Sequence, residues 1–73
     1  GDFYLISPMM SSEYSVEVYN EQAQEITDTI ELEQTGDSMG ITIPNDWDDT
    51  HMYVVFKDYE NSPKKVLMIT PKQ

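Results

Sequence analysis

Apolar and polar residues alternate singly along most of the chain, the period of a β-strand with one buried and one wet face. Tyr14, Val16 and Val18 alternate with Ser15, Glu17 and Tyr19. Met39, Ile41 and Ile43 alternate with Gly40 and Thr42 until Pro44, which lacks a ladder donor, ends the run. Phe3 to Ile6 (FYLI) predicts a further strand, closed by Ser7 and Pro8. His51 to Lys57 (HMYVVFK) and Val66 to Thr70 (VLMIT) are rich in β-branched and aromatic residues, and the stretch between them contains Asn61, Ser62 and Pro63, so the pair predicts a hairpin. In Glu21 to Gln34 (EQAQEITDTIELEQ) two periods compete. Glu, Gln and Ala favour helix, with Ala23, Ile26 and Ile30 on one face, whereas Thr27 and Thr29 are β-prone and Ile26, Ile30 and Leu32 fit a period of two. The pattern predicts a turn at Asn20 to Gln24 followed by a strand. About six strands joined by short turns imply an all-β fold, a small antiparallel β-sandwich, with no internal repeat or interdomain linker.

Val18-Tyr19-Asn20 stands at a strand end, Ile41-Thr42-Ile43-Pro44 leads into Asp46-Trp47, and Thr50 precedes the strand containing Tyr53 and Phe56. On these residues the run Val16 to Phe56 resembles an uncharacterised family of gut-bacterial and phage proteins whose C-terminal domain looks like an immunoglobulin or fibronectin type III sandwich. The resemblance implies an immunoglobulin-like arrangement with Trp47 buried at a corner over the core, and it implies no activity.

Seventy-three residues suit one domain, spanning 1–73, that can enclose only a small pocket. There is no cysteine, so neither disulfides nor thiolate metal sites stabilise it. The apolar stretches around Met52 to Phe56 and Val66 to Ile69 are far too short to span a bilayer. The start at Gly1, without an initiator Met, suggests a preceding segment and favours an extracellular, cell-surface or virion setting.

Charge narrows the range of partners. Fourteen Asp and Glu stand against four Lys and no Arg, a formal net charge of −10. Residues 1 to 56 hold twelve acids and no base, while Lys57, Lys64, Lys65 and Lys72 all lie in the last segment. Direct binding to nucleic acid or anionic membrane is disfavoured, because both need clustered bases. A protein partner fits better, with the chain itself monomeric or weakly dimeric.

Catalytic constellations are missing from the sequence. His51 is the single histidine and has no Cys or second His with which to build a zinc site or a nucleophile–base pair, so a strand-edge role is expected. Asn45-Asp46-Trp47-Asp48-Asp49 offers oxygen ligands for Ca²⁺, but an EF-hand loop from Asp46 would require Gly and Glu where His51 and Lys57 stand. Turn formation is the ordinary role of such a run. No cofactor is expected, and the chain reads as non-catalytic.

Two surfaces stand out. The C-terminal hairpin is apolar on both faces: Met52, Val54 and Phe56 oppose Tyr53 and Val55, and Val66 and Met68 oppose Leu67 and Ile69. Either it is central and covered on both sides, by Trp47 and the Phe3-Tyr4 strand, or one face binds another protein. The candidate surface comprises Tyr53, Val55, Leu67 and Ile69, extended by Met9 and Met10 unless those two plug the core. The second surface is acidic. Glu17, Glu25, Glu31 and Glu33 on exposed strand faces either serve solubility or mimic phosphates to occupy a DNA-binding protein.

Overall fold

The computed structural model describes residues 2–8 and 13–71. Met9 and Met10 lie outside the described residues. Six strands form two three-stranded antiparallel sheets, a small all-β sandwich: β1 (Phe3–Ile6), β2 (Ser15–Tyr19), β3 (Glu31–Thr35), β4 (Ser38–Thr42), β5 (Met52–Lys57) and β6 (Pro63–Ile69). The sheet orders are β1-β4-β3 and β2-β5-β6, so β4 and β5 are the central strands. The alternation that predicts the strands also assigns their faces. Val18, Ile41, Met52, Val54 and Phe56 are fully buried between the sheets, with Ile30, Met39, Ile43 and Ile69 completing the core. Tyr4, Ile6, Tyr14, Val16, Leu32, Trp47 and Leu67 pack around them. Tyr14 meets Phe56 edge to face, with ring centroids 5.7 Å apart.

The segment 21–34 departs from the simple turn-then-strand expectation. The turn is present, but β3 begins only at Glu31, after a 3-10 turn at Thr27–Thr29. Hydrogen bonding to the open edge of β2 is what outweighs the period-two pattern at Ile26 and Ile30. Glu25 bridges Tyr19, the Ile26 N–H donates to the Val18 carbonyl (2.8 Å), and the Val18 N–H donates to Thr27 Oγ1 (2.9 Å). An edge that would otherwise template foreign strands is thereby capped. The last strand also starts earlier than expected: Pro63, opposite Lys57 beside a register irregularity, is its first residue, a strand position that tolerates the lack of an N–H.

Two loops share one design. In Asn20–Gln24 the Asn20 side-chain oxygen accepts from the N–H groups of Gln22 and Gln24 (3.0 Å each), its N–H donates to the Gln24 carbonyl, and the Ala23 N–H returns to the Asn20 carbonyl. Asp58 repeats the pattern with Glu60 (2.9 Å), Ser62 (3.0 Å) and Asn61. The fourth residue of each loop is left-handed: Ala23 at φ 63° and Asn61 at φ 66°. Asn tolerates this conformation, whereas for Ala it costs about 1–2 kcal/mol. The β3–β4 hairpin turns on Gly36 at φ 60°, the positive φ that a two-residue loop with Gly at its first central position requires.

Two stability predictions follow from this packing. Ala23→Gly relieves the left-handed strain, and after the added unfolded-state entropy of Gly it is expected to stabilise the fold by about 0.5–1 kcal/mol in denaturant melts. The Tyr14 hydroxyl is buried without a hydrogen-bond partner among the described residues, and burial raises its pKa, helped by the Asp37 charge. Tyr14→Phe keeps the ring contact with Phe56 and removes an unpaired polar group, so its unfolding midpoint should equal or exceed that of the parent.

Candidate interaction surface

The outer face of the β2-β5-β6 sheet is built from the residues whose neighbours fill the core. Register places Tyr19, Tyr53 and Met68 in one row and Glu17, Val55 and Val66 in the next, with Ser15 and Lys57 beyond. Val66 and Met68 are each 58% exposed, and Tyr53 and Val55 are half-buried beside them. This apolar band is bordered on the β2 side by a polar chain. Tyr19 Oη donates to Glu17 Oε1 (2.8 Å), and Lys57 Nζ lies 3.0 Å from the same oxygen. At the far end the His51 ring stands 6.4 Å from Tyr53, and His51 Nδ1 is 3.2 Å from Thr70 Oγ1.

The residues grouped from the sequence do not all share one face. Tyr53 and Val55 face outward, but Leu67 and Ile69 do not share their face. Leu67 opposes Val54, Ile69 opposes Met52, and both turn toward the core. The residues beside Tyr53 and Val55 are Val66 and Met68. Alternation along β6 separates these two sets; only the pairing register says which set meets which face of β5. The expected cover is also elsewhere. The Phe3–Ile6 strand belongs to the opposite sheet and packs Tyr4 and Ile6 onto the inner side, and Trp47 is half-buried against the core with its Nε1 sealed from solvent.

The four carboxylates expected to form one acidic surface are divided. Glu17 lies in the polar border of this sheet, Glu25 accepts from Thr27 Oγ1 (2.9 Å) at the capped edge, and Glu31 and Glu33 stand exposed on the opposite sheet. Near the other end of the sandwich, Asn20, Gln22, Pro44, Asp46, Trp47 and Asp48 line an open cleft of about 400 Å³. Among the described residues no three His, Cys, Asp or Glu side chains converge to hold a metal ion. No helix among them is long and apolar enough to cross a membrane. No protein-family model, curated protein or solved structure matches the chain.

Hydrogen bonds from Tyr19 and then Lys57 hold the Glu17 carboxyl below its ordinary pKa, while the same bond to Glu17, with burial, raises the Tyr19 hydroxyl. A depressed carboxyl contributes stability that is present above its unfolded pKa of about 4.3 and is lost as pH falls through the folded value. A raised tyrosine contributes below its unfolded pKa of about 10 and is lost as pH rises through the folded value. Compared with the Glu17→Gln, Tyr19→Phe double variant, the parent should hold a constant melting-temperature advantage between about pH 5 and about pH 9. That advantage should shrink on both sides, and a difference that stays flat to low pH would show that the network contributes nothing through ionisation.

Proposed function

We propose that this chain is a non-catalytic protein-interaction module of a surface, secreted or virion assembly, with the outer face of the β2-β5-β6 sheet as its contact surface. The observation that carries this reading is the exposure of Val66 and Met68 next to Tyr53 and Val55. A half-wet antiparallel sheet ordinarily presents polar side chains there, and contiguous exposed apolar groups mark interfaces. The strand order supports an immunoglobulin-like relationship. Orders β1-β4-β3 and β2-β5-β6 correspond to B-E-D and C-F-G of a constant-type sandwich without its first strand. Trp47 differs from the immunoglobulin pattern, since it lies between β4 and β5 and not on the strand equivalent to C.

A phosphate-mimicking inhibitor is the second reading, and the exposed pair Glu31 and Glu33 favours it. The separation of Glu17 and Glu25 from that pair leaves no continuous acidic row to imitate a phosphate backbone. A calcium-dependent adhesion domain, the third, has no convergent carboxylate set among the described residues.

A photoreactive residue at position 68 tests the first reading. In an extract of the host, one protein adduct is expected, competed by excess parent protein and not by the Val66→Ser, Met68→Ser variant. Adducts that neither protein competes, or that both compete equally, would refute the surface.

A further inference from the structure

The opposite outer face has a different chemistry. On the β1-β4-β3 sheet, register aligns Phe3, Thr42 and Glu31 in one row and Leu5, Gly40 and Glu33 in the next. Phe3 and Leu5 are 59% and 63% exposed, although Tyr4 and Ile6 between and beside them already supply the inward contacts of that strand. The Phe3 ring reaches over β4. A Cβ added to Gly40 would meet the ring's Cζ at 2.7 Å, so the absent side chain is the space the ring occupies. An apolar strip along the sheet edge thus continues across its centre toward the two carboxylates, about 10 Å from β1 at two strand spacings.

Among the described residues those carboxylates have no cation of their own. Among the described lysines, Lys57 pairs with Glu17 (3.0 Å), Lys64 with Asp58 (3.6 Å), and Lys65 reaches the Pro8 carbonyl (3.4 Å). All three are engaged elsewhere, and among the described residues no ion pair forms at Glu31 or Glu33. An anionic lipid or nucleic acid would be repelled. A second copy would bring a further net charge of −10 to an already acidic face.

We propose that the outer face of the β1-β4-β3 sheet docks a basic amphipathic helix of a partner protein, its apolar stripe on Phe3 and Leu5 and its arginines on Glu31 and Glu33. This rests on the reading of the chain as an interaction module and supplies the partner chemistry for a second face. The dimensions agree. A helix is about 10–12 Å across, matching the distance from the β1 strip to the β3 carboxylates. Side chains one helical turn apart are about 5–6 Å from one another, close to the roughly 6.7 Å between alternate strand residues such as Glu31 and Glu33. Arginine fits both elements, since its planar guanidinium stacks on an aromatic face and pairs with carboxylates.

The probe is a labelled helix-forming peptide of about four turns with adjoining Leu and Arg stripes, followed by fluorescence anisotropy. The parent protein should bind it and should not bind the same peptide with Glu in place of Arg. Glu31→Gln with Glu33→Gln should weaken binding about tenfold and flatten its salt dependence. Leu5→Ser should weaken it, as should Gly40→Ala, which displaces the Phe3 ring and leaves every charge in place. The Val66→Ser, Met68→Ser variant should bind as the parent does, and parent-like melting temperatures check that each variant is folded. Equal binding of the Glu peptide, no binding of either peptide, or insensitivity to the Glu31 and Glu33 changes overturns the proposal. Sensitivity to those changes alone, with Leu5→Ser and Gly40→Ala silent, also overturns it, because general acidic attraction would then suffice. Loss of peptide binding in the Val66, Met68 variant would move the site to the other face, leaving the interaction-module reading intact. A refuted adduct at position 68 with peptide binding preserved would do the reverse.

Discussion

With no cysteine to cross-link it and no metal-ligand cluster among the described residues, this sandwich is held by the inward side chains of its two central strands. Met52, Val54 and Phe56 of β5 and Ile41 of β4 are all fully buried, and every other strand contributes to the core around them. Because side chains alternate, that single choice of inward residues also decides what β5 shows to solvent. Tyr53, Val55 and Lys57 face out because Met52, Val54 and Phe56 face in. The Glu17–Lys57 ion pair and the apolar band beside it are thus consequences of the core. A slip of one residue would drive Lys57 inward and lose both.

Register is held in turn by loop chemistry. Asn20 and Asp58 each gather two backbone N–H groups onto one side-chain oxygen, which closes a five-residue loop without help from the core. The shift between Phe56 and Lys57 in the β5–β6 pairing lies immediately before Asp58, so the loop also sets where the β6 residues fall. Ser62 and Glu60 N–H groups, with Lys64 nearby, hold the Asp58 carboxyl below its ordinary pKa, the electrostatic trace of the same hydrogen bonds.

Period-two alternation made the strands and most of their inward faces legible in the sequence, since Tyr14, Val16, Val18, Met39, Ile41 and Ile43 need only local pattern to be placed. What local pattern does not carry is partnership. Leu67 and Val66 are equally apolar, and which of them shares the outer face with Tyr53 and Val55 depends on the pairing register, which is irregular just before the Asp58 loop. Likewise, Ile26 and Ile30 fit a strand period, but hydrogen bonding to the β2 edge outweighs it. The acidic residues were countable but not locatable. The division of Glu17 and Glu25 from Glu31 and Glu33 follows from β2 and β3 lying in different sheets, which no count of charges reveals.

The two outer faces differ most in what the fold itself explains. On the β2-β5-β6 sheet the carboxylate of Glu17 is neutralised in place by Lys57, so its charge is a structural element. On the β1-β4-β3 sheet folding accounts for Tyr4, Ile6 and Leu32 through the core, and for part of Phe3 through the surface it covers at Gly40. Folding does not account for Leu5, which is exposed opposite a glycine, or for two carboxylates on one strand face with no base among the described residues to meet them. Like charges on alternate strand residues repel, modestly at physiological salt because the screening length is about 8 Å. The exposed Leu5, two strands away on the same face, contributes little to the core. In the docking proposed above, groups that cost the isolated domain something and return little to its packing are met by a basic, apolar counterpart that satisfies both at once.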